Sequence, residues 1–143
     1  MNDRQTIELS LPSSFGYEKV AMESAAAVAK MMGFTLDRIE DLKTAVGEAC
    51  GNAIEHGNKQ NASVKVLVVL TVEEAKLQID VHDEGGGIKK KIKQPNIEEK
   101  LAGKDTTRGW GMFLIKSLMD EVTFETKPGN GNVTRMIIHL RTS

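Results

Sequence analysis

Cysteine is almost absent from this sequence, since Cys50 is the only one among 143 residues. A single cysteine excludes an internal disulfide and cannot supply the pair of thiolates that a structural zinc site typically uses. Cys50 lies between Ala49 and Gly51 in a helical pattern. We therefore expect a small residue packed between helices rather than a nucleophile.

Long hydrophobic runs and an excess of charge of one sign are also absent. The longest aliphatic run, residues 66–70, is far too short to cross a bilayer. The first residues are polar and contain no apolar signal segment, so we expect a cytoplasmic protein. The formal net charge is -1, and no basic stripe is interleaved with aromatic residues. Neither a membrane nor a nucleic acid is therefore an expected partner.

The apolar fraction of 40% is enough for one hydrophobic core, and residues 1–143 are expected to form a single domain. Alternating apolar residues predict strands, which lie at 6–11, 63–71, 76–83, 122–126 and 133–140. Helical spacing predicts helices, which lie at 17–32, 36–56 and 111–119. Short links between strands indicate hairpins, and the helices need a sheet face to cover. We expect an α/β two-layer sandwich, with a mixed, largely antiparallel sheet and the helices on one face.

The first helix has a plausible apolar stripe, which consists of Val20, Ala27, Val28 and Met31. The second helix has a clearer one, which consists of Ile39, Leu42, Val46, Ala49 and Ala53. The polar stretch 88–108 interrupts the pattern and is predicted to be a long loop. A loop of that length in a compact domain is usually functional or disordered.

Glu48, Asn52 and Glu55 form a polar stripe on the second helix, away from its apolar arc. Small neighbours such as Gly51 leave room for a ligand to approach. A carboxylate and an amide one turn apart can hold a hydrated Mg²⁺. The alternative is an ordinary solvated helix face.

Asp83 has the same strand parity as Leu77, Ile79 and Val81, so it is predicted to point toward the core. A buried carboxylate needs partners. The glycines that follow at 85–87 let a ligand come close to the backbone. Asp83 could accept a hydrogen bond from an exocyclic amine such as that of adenine, or it could cap its own turn.

Arg108, Gly109 and Gly111 precede the last predicted helix. A glycine-rich turn that opens a helix presents free backbone N–H groups and the positive end of the helix dipole, which suits phosphate. Arg108 adds a charged fork for phosphate oxygens. A simple helix-entry turn is the alternative interpretation.

Thr134 lies in the last predicted strand and shares parity with Met136, Ile138 and Leu140. It could therefore reach the same pocket as Asp83, directly or through water. It could equally be a β-branched core residue.

The order of these motifs along the chain resembles the GHKL ATPase superfamily, which includes the ATP domains of gyrase and the histidine kinases. No P-loop motif occurs. Within the superfamily, stretches 48–57 and 109–122 resemble the anti-sigma-factor serine kinases of bacteria. The resemblance covers nearly the whole chain and implies the GHKL (Bergerat) ATP-binding fold, with 88–108 as the lid over ATP.

The resemblance also implies a role for each motif residue. Glu48 would be the general base toward a protein serine, and Asn52 would ligate the Mg²⁺ that bridges the ATP phosphates. Asp83 would bind the adenine amine. The remaining implied ligand contacts come from Gly85 and Gly87 at the adenine pocket, Gly109, Gly111 and Arg108 at the phosphates, and Thr134.

The function that the resemblance implies is an ATP-dependent serine-protein kinase that acts as an anti-sigma factor. Its substrate would be a serine of an anti-sigma-factor antagonist, and a sigma factor and a second copy of the chain are further implied partners. Three alternatives remain open from the residues. They are a non-catalytic ATP/ADP-sensing module of a partner-switching pathway, a plain ATPase, and an α/β domain that binds no nucleotide.

Overall fold

The structure is a computed structural model that describes residues 4–85, 106–127 and 131–141, without the side chains of 106–108 and 127. Its strands are β1 (Gln5–Pro12), β2 (Lys65–Glu73), β3 (Lys76–Asp83), β4 (Glu121–Lys127) and β5 (Gly131–His139). Its helices are α1 (Glu18–Met32), α2 (Leu36–Asn52) and α3 (Thr106–Leu118), and a π-helical segment, Ala53–Gly57, continues α2. All five predicted strands and all three predicted helices are present.

The strands form one sheet in the order β1-β2-β3-β5-β4. Every neighbouring pair in the described residues is antiparallel, which agrees with the prediction of a largely antiparallel sheet. In the register of β3 and β5, Asp83 lies opposite Asn132, and Val81 lies opposite Thr134. The ends of these two central strands therefore bring polar side chains together.

The hydrophobic core lies between the helices and one face of the sheet. Strand residues in this core share a single face, as the pairing of Val68 with Val81 and of Ile79 with Met136 shows. The opposite face carries polar contacts, among them a 2.7 Å bond from Arg135 Nε to Asp80 Oδ1. The expected two-layer α/β sandwich is therefore confirmed, with the helices on one face.

The apolar stripe predicted for α1 is wrong in most of its members. The buried residues of α1 are mostly alanines, namely Ala21, Ala25, Val28 and Ala29. Val20 and Met31 are 45% and 84% exposed, and Ala27 is also exposed. Alanines let the backbones of α1 and α2 come close, and the smaller face is buried for that reason. A Cβ added to Gly47 of α2 would lie 2.8 Å from Met22 Sδ of α1, which shows how close the packing is.

Two predicted helix boundaries also differ. The helix predicted at 36–56 becomes π-helical at Ala53, where Asn58 N donates to Ala53 O at 2.8 Å. The helix predicted at 111–119 begins at Thr106, so Arg108 and Gly109 lie inside it rather than in a preceding turn. Glycine weakens a helix by only about 1 kcal/mol relative to alanine, and tertiary packing can outweigh that cost.

Asp120 joins the ends of three elements. Its Oδ2 accepts from Arg38 Nη2 of α2 at 3.2 Å and from His139 N of β5 at 2.7 Å, and its Oδ1 accepts from Arg141. Burial by itself would raise the pKa of Asp120. The backbone hydrogen bond from His139 and the charges of Arg141 and Arg38 outweigh burial and hold that pKa below its usual value.

The described helices are all short. The longest, α2, has 17 residues and carries charged side chains along its length. In the part of the chain that the structure describes, no helix combines the length and the apolar character needed to cross a membrane.

Candidate active site

Glu48 and Asn52 lie on the side of α2 that faces α3. Both side chains are half-buried. A Cβ added to Gly111 of α3 would lie 2.7 Å from Glu48 Oε1 and 3.6 Å from Asn52 Nδ2. Only a glycine lets α3 come this close to the polar stripe. The structure therefore brings two separately predicted motifs into contact.

A cavity of about 120 Å³ extends from Asn52 toward the sheet. Its polar lining includes Asn52, Asp83 and Thr134, which come from α2, β3 and β5. Its apolar lining consists of Ala49, Ala53, Met112, Phe124 and Val133. Polar side chains therefore make up about half of the lining. Convergent polar groups of this kind fix the orientation of a bound small molecule.

Asp83 points into this cavity from the end of β3 and is only 9% exposed. Asn132 Nδ2 donates to Asp83 Oδ1 at 3.0 Å. On its other side, a Cβ added to Gly57 would lie 2.3 Å from Asp83 Cγ and 2.4 Å from Oδ2. The carboxylate is thus confined between β5 and the π-helical segment. This agrees with the prediction that Asp83 points toward the core and has partners there.

The backbone after Asp83 is fixed by Asn58, which is 5% exposed. Glu84 N donates to Asn58 Oδ1 at 2.8 Å, while Asn58 Nδ2 donates to Ser13 Oγ at 2.9 Å and to Lys65 O at 3.1 Å. Gly85 follows with a φ of 53°, a conformation that glycine adopts without strain. These contacts hold the turn that carries Asp83.

Cys50 lies on α2, in the hydrophobic core. It is fully buried, and burial raises the pKa of its thiol to about 12. Such a thiol stays protonated at neutral pH and is a poor nucleophile. The prediction that Cys50 is a packing residue is confirmed.

The structure brings together five of the residues predicted from sequence: Glu48, Asn52, Asp83, Gly111 and Thr134. Gly85 adjoins Asp83, whereas Gly109 is exposed, and a Cβ added to it would have no neighbour within 4 Å among the residues that the structure describes. Arg108 is described only by its backbone in α3. Gly87 and most of the predicted lid at 88–108 lie outside the described residues.

Three residues of the site were missed by sequence reasoning, namely Gly57, Asn58 and Asn132. Asn132 has the same strand parity as Thr134, so the alternation that singled out Thr134 could have found it as well. Gly57 ends the stretch 48–57, but the sequence predicts no contact between it and Asp83. No local pattern indicates that its missing side chain is what leaves room for Asp83.

Magnesium would have to be held here by few protein ligands. Among the residues described, no group of three or more His, Cys, Asp and Glu side chains could hold a metal ion. Mg²⁺ commonly binds through one or two side-chain oxygens and completes its octahedron with phosphates and waters. Asn52, whose amide group lies beside Gly111, can supply one such oxygen when a triphosphate shares the site.

Comparison with known proteins agrees with this geometry. The histidine kinase-like ATPase domain family matches residues 11–138. The serine-protein kinase RsbW of Bacillus subtilis is 34% identical over 132 residues, which cover 90% of this chain and 82% of that protein. RsbW of Staphylococcus aureus is 37% identical, with coverages of 86% and 80%.

A solved structure gives independent support for the fold. The RsbU and RsbW domains of Rv1364c from Mycobacterium tuberculosis superpose with a TM-score of 0.69 at 15% identity. The match covers 97% of this chain and 34% of that one. The chain belongs to the histidine kinase-like ATPase domain family and, within it, to the group that includes the RsbW serine-protein kinases.

Proposed function

We propose that this protein is a serine-protein kinase that transfers the γ-phosphoryl group of ATP to a serine of a partner protein. The observation that carries the proposal is the convergence of Glu48, Asn52 and Gly111 next to a cavity that ends at Asp83. An acidic side chain, an amide and the first two turns of α3 therefore adjoin a pocket for a base. The similarity to RsbW serine-protein kinases supports the same reaction.

ATP would lie with its adenine at Asp83 and its phosphates at α3. The carboxylate of Asp83 accepts the hydrogen bond of the exocyclic amine, and Thr134 lines the same cavity. The phosphates lie toward Asn52 and Gly111, with Gly109 and Arg108 in the first turn of α3. The positive end of that helix dipole favours the negative charge of the phosphates.

Mg²⁺ would bind at Asn52 together with the phosphates. When bound, it neutralises charge on the phosphate oxygens as the γ-phosphoryl group leaves ADP. The contribution of the protein is to hold the donor and acceptor in line, because phosphoryl transfer depends mainly on positioning and on charge stabilisation.

Glu48 acts on the acceptor. Its carboxylate accepts the proton of the partner's serine hydroxyl while the serine Oγ forms a bond to the γ-phosphorus and the bond from that phosphorus to ADP breaks. The products are phosphoserine and ADP. Glu48 is only half-buried, which leaves it open to a side chain that a partner presents.

The partner that we propose is an anti-sigma-factor antagonist. Trp110 and Phe113 are 62% and 58% exposed on α3, and their ring centroids are 5.4 Å apart. Both aromatic residues lie on the helix whose Gly111 contacts Glu48. We propose that this exposed aromatic pair forms part of the surface that binds the partner. Phe113→Ala should raise the KM for the partner while the Kd for ATP stays unchanged, and an unchanged KM would remove the pair from the docking surface.

We further propose that residues 1–143 act as one ATP-binding domain in the cytoplasm, where ATP is available.

The chain would act as an anti-sigma factor and form a homodimer. The exposed apolar residues Val20 and Met31 on α1 support a protein contact there. Light scattering tests the homodimer, since a monomer at micromolar concentration would contradict it. Co-purification with a sigma factor tests the second partner.

The test of the kinase is direct. The protein is incubated with Mg-ATP and the candidate antagonist, and phosphoserine is measured by mass spectrometry. Phosphoserine on the partner, with release of one ADP per serine, is the expected result. A well-folded cognate partner that binds and stays unmodified would contradict the kinase and favour a module that senses ATP or ADP without turnover.

A further inference from the structure

The position of Asp83 is determined by residues to which the sequence assigns no role in the site. Asn58 holds the backbone of Glu84 through a bond of 2.8 Å, so the turn after Asp83 cannot shift without breaking this part-buried hydrogen bond. What remains adjustable is the side chain of Asp83, and two neighbours confine it.

Asn132 is the first neighbour. Its amide N–H donates to Asp83 Oδ1 at 3.0 Å, directly across the β3–β5 pair. An amide that donates to one carboxylate oxygen fixes the rotation of the whole carboxylate group. The orientation in which the carboxylate meets a ligand in the cavity therefore depends on Asn132.

Gly57 is the second neighbour. A methyl group at this position would lie between 2.3 and 2.7 Å from Cγ, Oδ2 and Oδ1 of Asp83. Real Cβ atoms do not come that close, so any side chain at residue 57 would push the carboxylate out of its place. Gly57 is brought there by the π-helical segment, and π-helical turns frequently lie at functional sites.

We propose that Asn132 and Gly57 are positioning residues that orient Asp83 and thereby set the preference for a 6-aminopurine nucleotide over a 6-oxopurine nucleotide. This inference rests on the proposed function, because it requires the base of ATP to meet Asp83. A carboxylate accepts from the amine of adenine and repels the 6-oxygen of hypoxanthine. A site built to accept from an amine discriminates strongly against an analogue that lacks it.

The experiment compares the Kd of Mg-ATP with that of Mg-ITP by competition against a fluorescent ADP analogue. Wild type should prefer ATP by at least about tenfold. In Asn132→Ala and Gly57→Ala, the affinity for ATP should fall while the affinity for ITP changes little, so the preference should drop to within about threefold. A purely structural role would weaken both nucleotides equally and leave their ratio unchanged.

Asn61→Ala is the matched control for Asn132→Ala. Asn61 is exposed in the loop before β2, where its Oδ1 accepts from Ser63 N and Ser63 Oγ. This variant should keep the ATP preference of wild type. If Asn132→Ala fails to fold, Gly57→Ala still tests the inference, because its added methyl acts on the Asp83 carboxylate.

The possible outcomes distinguish failure of this inference from failure of the proposed function. Wild type that binds neither nucleotide contradicts both the proposed function and this inference. Wild type that prefers ATP, with both variants retaining that preference, overturns the inference and leaves the kinase standing.

Discussion

Gly111 of α3 lies directly against Glu48 of α2, so that a Cβ on Gly111 would be 2.7 Å from Glu48 Oε1. The contact makes the position of the carboxylate depend on the absence of a side chain on another helix. Gly111→Ala is therefore expected to displace Glu48 and to lower the rate of phosphoryl transfer by about tenfold or more, since small misplacements of reacting groups are costly.

The measurement for Gly111→Ala is kcat with a saturating partner. Gly109→Ala separates displacement of Glu48 from a clash with the nucleotide, because a Cβ at Gly109 meets none of the described atoms within 4 Å. Loss of ATP affinity in Gly109→Ala would therefore indicate a clash with the nucleotide. An unchanged kcat in Gly111→Ala would contradict this expectation, because displacement of Glu48 would then have no effect on phosphoryl transfer.

Glu48→Gln should remove the proton acceptor and keep the shape of the side chain. Phosphoryl transfer is expected to fall by at least about a hundredfold, the range in which general bases contribute. The Kd for ATP should stay within about twofold, because the base acts on the acceptor rather than the nucleotide. Glu55→Gln is the control, because Glu55 is an exposed carboxylate in the π-helical segment that follows α2.

Asp83→Asn should weaken ATP binding by about tenfold or more, as expected when a site can no longer accept from the ligand. The new amide can accept from Asn132 with its oxygen, which turns its own NH₂ toward the amine of adenine. Two donors then face each other in the cavity. Titration calorimetry with Mg-ATP checks the result, and equal affinity in both proteins would remove Asp83 from the binding site.

Much of this fold was predictable because its signals are local. Strand β3 alternates cleanly over 76–83, and the observed strand has the same bounds as the predicted one. The apolar face of α1 was not predictable in the same way. Which side of α1 is buried depends on how closely α1 can approach Gly47 of α2. The periodicity of α1 does not indicate that distance.

The same distinction between local signals and contacts between elements applies to the candidate site. Asp83 stands out because a carboxylate shares the parity of an apolar strand face. Glu48 and Asn52 stand out because small residues flank their polar stripe. Gly57 and Asn132 become visible only when β5 pairs with β3 and the π-helical segment meets Asp83. Such contacts join residues that are far apart in sequence.

Asp120→Asn should lower the free energy of unfolding at pH 7 by about 1–2 kcal/mol, because it weakens charged hydrogen bonds that are only partly buried. The folded-state pKa of Asp120 is depressed. Its stabilisation is therefore present above the unfolded pKa and is lost as the pH falls through the folded one. Urea unfolding between pH 7 and pH 3 should show a steeper acid loss in wild type than in Asp120→Asn.

Glu121→Gln provides the contrast for Asp120. Glu121 lies next to it and pairs with His139 Nε2 at 2.7 Å, but its side chain is 55% exposed. Exposed ion pairs contribute about 1 kcal/mol or less, so this variant should be close to wild type. Equal losses in the two variants would argue against a special role for the Asp120 carboxylate.

Cys50 should make the protein sensitive to alkali. Its pKa is raised to about 12 in the folded state from 9.0, so its stabilising contribution is complete below about pH 9 and declines as the unfolded thiol ionises above that value. In urea unfolding from pH 8 to pH 11, Cys50→Ala should lose less stability than wild type, by a few kcal/mol at most. Parallel curves would show that the thiol does not contribute to the alkaline loss.

The π-helical segment also restricts how long the chain can be between Asn52 and Asn58. Its wider turn holds one more residue than an α-helical turn, as the 2.8 Å bond from Asn58 N to Ala53 O shows. Deleting a single residue there would rotate everything after it by about 100°. Gly57 would then face away from Asp83, and a side chain could occupy the space that the carboxylate needs. Insertions and deletions in this short stretch should therefore be tolerated less well than most substitutions on its exposed side.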